Sequence, residues 1–174
     1  MKGRPMTGEK LYTWAELKDE LDRLKQEGKT IVFTNGCFDI LHGGHTRYLK
    51  DAKRLGDVLV VALNSDASVR SIKGERRPLV PEGERAEVIG SLASVDYVTL
   101  FDELTPLELI GYLRPDILVK GGDWTEDRVV GRDLVSSWGG RVVIVPETQG
   151  ASTTNIVEKV LAVYRNGTPD EPGI

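Results

Sequence analysis

The stretch that decides the fold is residues 30–49, TIVFTNGCFDILHGGHTRYL. Its first six residues are mostly β-branched or aromatic, which is typical of a strand buried on both faces of a parallel sheet. The run stops at Gly36, and a helical pattern of apolar residues begins near His45. A buried strand that passes through a glycine-rich loop into a helix predicts a binding site for an anionic ligand at the junction.

The same alternation of strand and helix continues along the chain. Further strand-length apolar runs occupy residues 58–63, 97–101, 117–120 and 141–145. Helical patterns occupy residues 14–27, 45–55, 65–72, 82–93, 106–113, 128–138 and 153–164. This order predicts an α/β fold: a Rossmann-like, doubly wound parallel sheet of about five strands in three α/β/α layers.

Length and composition bound the function. The 174 residues suit one domain, which we expect at 10–164, with 1–9 and 165–174 as flexible termini because neither has an apolar pattern. A net charge of −4 argues against a general nucleic-acid binder. No apolar stretch approaches a membrane span and no signal peptide is recognisable, so we expect a cytoplasmic protein without a membrane partner. The single cysteine, Cys37, excludes an internal disulfide.

The only two histidines, His42 and His45, flank a pair of glycines in the first loop. Glycine lets a ligand approach the backbone, and the N–H groups of the following helix start attract phosphate, so this loop resembles an anion cradle. One alternative is a metal site with Cys37 or Asp39 as further ligands, but a catalytic zinc site usually has three firm protein ligands. The other alternative is a turn in which both histidines are incidental.

Two further motifs follow later strands. Lys120-Gly121-Gly122-Asp123-Trp124 follows the fourth predicted strand, and Gly150-Ala151-Ser152-Thr153-Thr154-Asn155-Ile156 opens the last predicted helix. The G-x-G-x-x-G pattern of dinucleotide-binding oxidoreductases is absent after the first strand. The chain therefore carries three candidate phosphate-binding segments and no nicotinamide fingerprint.

The segment His42-Gly43-Gly44-His45, after a strand that ends in Asn-Gly-Cys-Phe-Asp, resembles the HxGH signature of the nucleotidyltransferase superfamily, which includes the cytidylyltransferases. The segments VALNSDASV, VDYVTLFDE, ILVKGGDW and STTNIV are similar to those of adenylyltransferases that act on D-glycero-β-D-manno-heptose 1-phosphate in bacterial ADP-heptose synthesis. This resemblance covers residues 10–164.

The resemblance implies that a sugar 1-phosphate oxygen attacks the α-phosphorus of ATP and releases pyrophosphate. An anionic acceptor needs no general base, so positioning and charge stabilisation would carry the catalysis. The resemblance also implies Mg²⁺ bound with ATP and a homodimer. Because many bacteria fuse this domain to a sugar kinase that a chain of this length cannot contain, it implies a separate kinase upstream.

The resemblance also assigns residues to roles. The expected catalytic residues are His42, His45 and Lys73. The expected nucleotide-binding residues are Asn35, Gly36, Cys37, Phe38, Gly44, Lys120, Gly121, Asp123, Gly150, Ser152, Thr153 and Thr154. The expected sugar-phosphate-binding residues are Asp39, Arg76 and Trp124, and no protein ligand for a metal is assigned.

Each assignment has a structural alternative. The Ser-Thr-Thr run at 152–154 is also a typical helix cap, and the charged segment 73–77 could be a solvated surface. Trp124 could belong to the core, and Asp39 could merely cap its loop. Glu147 replaces an arginine of the glycerol-phosphate cytidylyltransferase pattern, which argues against that activity. The remaining alternatives are a cytidylyltransferase for a small alcohol phosphate or phosphonate, and a non-catalytic nucleotide-binding module.

Overall fold

The computed structural model describes residues 10–122, 124–146 and 152–164. Within these ranges five parallel strands form one sheet in the order β3-β2-β1-β4-β5. The strands are β1 (Ile31–Gly36), β2 (Val58–Asn64), β3 (Tyr97–Phe101), β4 (Ile117–Gly121) and β5 (Arg141–Val145). Each predicted strand is present to within one residue at either end. The expected flexible termini lie outside the described residues.

Seven α-helices accompany these strands in the same ranges. They are α1 (Trp14–Gln26), α2 (Gly43–Lys53), α3 (Asp66–Lys73), α4 (Glu82–Gly90), α5 (Leu107–Leu113), α6 (Arg132–Ser137) and α7 (Thr153–Tyr164). The predicted helix at 128–138 is wrong in its first turn, because α6 begins only at Arg132. Gly131 has φ +92°, and a Cβ there would lie 2.8 Å from Ile110 Cδ1, so the chain turns sharply against α5 before the helix starts.

Local signals in the sequence account for the ends of α1. The Glu16 amide donates to Thr13 Oγ1 at 3.3 Å, and the Thr13 amide donates to Glu16 Oε2 at 3.0 Å, which is the capping box that the sequence predicts. Gly28 follows the helix with φ +78°, the left-handed conformation that commonly ends a helix.

The core lies on both faces of the sheet, as expected for three layers. All seven residues of β2 are buried, and successive residues of each strand point to opposite faces. Phe33 and Val60 face α1 and α5, whereas Leu59 and Val61 face α2 and α4. Both faces of the central strands therefore need apolar residues, which explains their continuous apolar sequence.

The strand order places the functional site. From β1 the chain winds outward through β2 to β3, and then returns to place β4 on the other side of β1. Ligands of doubly wound sheets bind in the crevice at such a switch point, beyond the carboxyl ends of the strands. The loops after β1 and β4 meet at that crevice. No helix in the described ranges is both long and apolar enough to cross a bilayer.

Candidate active site

A cavity of about 350 Å³ opens where β1 and β4 end. Among the residues that the structure describes, every predicted site residue except Arg76 lines this cavity. Asp123 and Gly150 lie outside the described residues. The cavity also includes Tyr48 and Arg77, which the sequence analysis did not select. Loops that are far apart in the sequence thus converge at one edge of the sheet.

The two histidines form a stacked pair at the start of α2. His42 has extended backbone, with φ −141° and ψ 170°, and precedes the first helical residue. The ring centroids of His42 and His45 are 3.8 Å apart with an interplanar angle of 21°. The Phe38 ring packs against His45 at 5.1 Å. The helix start and these ring contacts together fix both imidazoles in the cavity wall.

Burial, with smaller contributions from the nearby charges of His42 and Lys73, lowers the pKa of His45 to about 4. The ring is therefore neutral near pH 7, and it carries one N–H donor and one acceptor nitrogen. Its Nδ1 atom is buried and has no hydrogen-bond partner among the described residues. A phosphate oxygen in the cavity is a suitable partner for the donor of such a ring.

The Phe38 ring lies close to the backbone at the end of β1. Phe38 adopts a positive φ of 45°, which turns the chain back toward β1. A Cβ on Gly36 would lie only 2.8 Å from Phe38 Cε2. Gly36 thus makes room for the ring that supports His45, in addition to lining the cavity.

Lys120 enters the cavity from the end of β4. Its ammonium donates to Asn35 Oδ1, and burial lowers the pKa of Lys120 to about 8. A nearby anion would stabilise the charged form of this buried ammonium, whose present partner is neutral. Next to it, a Cβ on Gly121 would lie 3.1 Å from Tyr48 Cε2, so glycine lets Tyr48 pack against β4.

The first turn of α7 forms another wall of the cavity. Ser152 Oγ accepts the Asn155 amide at 3.0 Å, which is a helix cap, and Thr153 Oγ1 donates to the Ile40 carbonyl at 3.5 Å. The alternative that Ser152 caps the helix is therefore confirmed, although the residue also lines the cavity. The remaining N–H groups of this turn favour a negative ligand.

The Asp39 carboxylate is already engaged by other groups of the protein. Its Oδ1 atom accepts the Leu79 and Val80 amides at 2.8 Å each, and its Oδ2 atom pairs with Arg77 Nε at 2.7 Å. The structure brings Arg77 to the cavity and leaves Arg76 exposed outside it. The Arg77 amide donates to the Gly74 carbonyl at 3.0 Å, so residues 74–77 form a turn in which Arg76 and Arg77 take different directions.

Arg85 of α4 is the largest fully buried side chain among the described residues, and sequence reasoning missed it. Its guanidinium donates to the carbonyls of Cys37, Val80 and Asn64 at 2.6–2.9 Å, and it pairs with Asp66 at 2.8 Å. One side chain thus ties the β1 loop, the end of β2 and the segment before α4 together. The charged sequence EGERAEVIG gives no signal of this burial.

Trp124 and Lys73 lie on the rim. Trp124 is 50% exposed, so the alternative that it is a core residue is wrong. Lys73 ends α3 and is exposed, yet it reaches the cavity. The segment that was read alternatively as a solvated charge run thus contributes two cations, Lys73 and Arg77, to one side of the cavity.

Comparison with known proteins agrees with this geometry. The model of the family described as cytidylyltransferase-like matches residues 33–159. The chain belongs to this family. The match runs from β1 into α7 and so contains the stacked histidines, Lys120 and the first turn of α7. The superfamily and the nucleotidyltransferase class expected from the motifs are confirmed.

Relatives of this cytidylyltransferase-like chain are longer proteins. It is 59% identical over 151 residues to the Bifunctional protein HldE of Syntrophotalea carbinolica, which covers 87% of this chain and 31% of the relative. It is 59% identical over 140 residues to HldE of Trichlorobacter lovleyi, which covers 80% of this chain and 28% of the relative. The chain thus spans less than a third of these curated relatives.

Solved structures share the cytidylyltransferase-like fold. The lipopolysaccharide core biosynthesis protein from Thermoplasma volcanium superposes with a TM-score of 0.59 at 32% identity, over 71% of this chain and 100% of that one. Pantothenate synthetase from Thermus thermophilus superposes with a TM-score of 0.60 at 18% identity, over 90% of this chain and 72% of that one. The second likeness concerns the fold alone.

Proposed function

We propose that the protein transfers AMP from ATP to D-glycero-β-D-manno-heptose 1-phosphate, giving ADP-heptose and pyrophosphate. The observation that carries this proposal is the stacked His42–His45 pair at the start of α2, in a cavity that also receives Lys73 and Lys120. The similarity to HldE proteins and to a lipopolysaccharide core biosynthesis protein supports the choice of a heptose phosphate.

In this reaction an oxygen of the acceptor phosphate forms a bond to the α-phosphorus of ATP. The bond from that phosphorus to the oxygen bridging the α- and β-phosphates breaks, and pyrophosphate takes the electron pair. His42 and His45 would donate hydrogen bonds to the α-phosphoryl oxygens and the departing pyrophosphate, where negative charge increases. The acceptor is already an anion, so the transfer needs no nucleophilic side chain to form a covalent intermediate.

The remaining residues would bind and orient the substrates. Lys120 and the first turn of α7 would hold the β- and γ-phosphates, because the buried ammonium and the N–H groups both favour anions. Lys73 would contact the phosphates from the opposite rim. The β1 loop, with the small residues Gly36 and Cys37, would lie against the nucleotide.

A divalent cation would arrive with the nucleotide. Among the described residues, no group of three or more His, Cys, Asp or Glu side chains could hold a metal ion. The carboxylate of Asp39, which lines the cavity, is already occupied by two amides and Arg77. These donors do not fit a protein-held Mg²⁺ site, so we propose that Mg²⁺ enters as part of the ATP complex.

The cellular setting is also part of the proposal. ATP as the donor suits the cytoplasm, and a sugar kinase distinct from this domain would act upstream in the same pathway. The relatives are named bifunctional, and this chain spans 31% of HldE from S. carbinolica. A homodimer stays a prediction of the resemblance.

The test measures pyrophosphate release with heptose 1-phosphate and each of ATP, CTP, GTP and UTP. We expect turnover with ATP, and a loss of about 100- to 1,000-fold in kcat for either His42→Ala or His45→Ala, as when one oxyanion donor is removed. Lys50→Ala, on the exposed face of α2, is the matched control and should keep the wild-type rate. Preference for CTP would make the protein a cytidylyltransferase, and binding of ATP without turnover would refute the heptose assignment.

A further inference from the structure

The cavity has two chemically different sides because its walls come from opposite neighbours of β1. Lys120 lies among the last residues of β4 and α7 follows β5, and both strands are on one side of β1 in the sheet. Lys73 and Arg77 belong to the connection from β2 to β3, on the other side. The histidine pair follows β1 itself and so lies between the two sides. A reaction that joins two anions needs two such groups of donors around one centre.

Arg77 forms an ion pair with a buried carboxylate. Its Nε atom is 2.7 Å from Asp39 Oδ2, and the Asp39 side chain is only 2% exposed. The other oxygen of Asp39 accepts the Leu79 and Val80 amides, so the carboxylate also fixes the backbone just after Arg77. Three contacts therefore hold this segment to the β1 loop.

The remaining nitrogens of Arg77 are suited to a ligand. The pair with Asp39 is made through Nε, and the Arg77 side chain makes no other ion pair among the described residues. Its side chain is 20% exposed and lines the cavity. A guanidinium whose Nε atom faces a carboxylate can present its other donors in a planar fork that matches two phosphate oxygens.

We propose that Arg77 binds the phosphate of the acceptor sugar and that Asp39 is the positioning residue that aims it. This inference rests on the proposed function, in which Lys120 and α7 hold the nucleotide phosphates from the β4 side and Lys73 reaches them from the opposite rim. Arg77 is on the β2 side, where a second phosphate could approach the α-phosphorus from the direction opposite the departing pyrophosphate. Asp39, expected from the sequence to contact the sugar, acts instead through Arg77.

The test compares steady-state kinetics of Arg77→Lys and Asp39→Asn with the wild-type protein. We expect Arg77→Lys to raise KM for heptose 1-phosphate about 10- to 100-fold, the range for loss of a charge-assisted hydrogen bond, with KM for ATP unchanged. Asp39→Asn keeps an oxygen for the two amides but loses the charge opposite Arg77, so it should raise the same KM less. Arg70→Lys, at an exposed arginine of α3 that does not line the cavity, is the matched control and should leave both KM values unchanged.

Calorimetric binding of heptose 1-phosphate to the nucleotide-free protein separates this inference from the proposed function. Absence of turnover in the wild-type protein would refute the function, whereas weaker sugar-phosphate binding by Arg77→Lys would still support the subsite. Unchanged acceptor binding in Arg77→Lys would overturn the inference even if turnover is normal. An equal rise of both KM values would also overturn it, because Arg77 would then serve the nucleotide as well.

Discussion

Replacement of Arg85 by methionine should lower the free energy of unfolding by about 3–5 kcal/mol, the range for removing one partner of a buried ion pair. The Arg85 side chain is 0% exposed and Asp66 is 25% exposed, so the carboxylate that remains is partly shielded from water. The change also removes a donor from the carbonyls of Cys37, Val80 and Asn64. An unsatisfied buried polar group costs about 1–3 kcal/mol, so these carbonyls can bring the loss of stability to about 5 kcal/mol.

The assay is urea unfolding followed by circular dichroism, combined with thermal unfolding. For a chain of this size each kcal/mol changes Tm by about 2–4 °C, so we expect a decrease of about 6–20 °C. Arg70→Met is the matched control, because Arg70 is an exposed arginine on α3, and it should change stability by no more than about 0.5 kcal/mol. Arg85→Lys keeps the charge without the planar fork and should fall between the two variants.

A loss of less than about 1 kcal/mol in Arg85→Met would refute this reasoning. It would mean that the cost of burying the guanidinium offsets its four contacts and that the surrounding backbone relaxes around the apolar side chain. An unchanged midpoint with an altered m value would instead indicate a change in the unfolded state.

Three further predictions concern the cavity. Lys120, with a pKa of about 8, is half protonated at pH 8, so binding of ATP should take up about half a proton at pH 8 and less at pH 6. Calorimetry in buffers of different ionisation enthalpy measures this proton uptake, which should be absent in Lys120→Met. The pKa of His45 is about 4 in the folded protein, so the unfolded chain binds more protons than the folded one between about pH 4 and 6.5. Urea unfolding should therefore show that stability decreases as the pH is lowered through this window, and that it decreases less in His45→Gln. Gly36→Ala places a Cβ 2.8 Å from the Phe38 ring and should lower kcat in the pyrophosphate assay, whereas Gly83→Ala, with no atom within 4 Å, should not; equal rates in both would contradict the steric argument.

The strands were predictable because parallel strands with both faces covered require continuous apolar runs. The segment Val58–Asn64 is one such run, and the structure buries all of it. The start of α6 was not predictable in the same way. Gly131 is ordinary in the sequence, and only its contact with Ile110, 21 residues earlier, makes it a turn.

Some residues of the site could also be predicted from local sequence, whereas others depend on contacts between distant parts of the chain. The histidine pair and the first turn of α7 could be predicted to lie at one site because their motifs are contiguous in the sequence, and the structure places both in one cavity. Arg76 and Arg77 are adjacent and identical in type, so nothing local separates them, and the choice depends on Asp39, about 40 positions earlier. Arg85 lies among glutamates and is typical of a solvated helix face, yet tertiary contacts bury it completely.

The central place of β1 has a consequence for how this fold can change its substrates. The connection after β2 carries Lys73 and Arg77, whereas Lys120 is near the end of β4 itself and α7 follows β5. These segments are separate in the chain and share only the edge of the sheet. If Arg77 binds the acceptor as proposed, exchange of residues 74–81 should alter which acceptor phosphate binds while Lys73 and the β4 side stay in place, so a grafted segment is a route to other products.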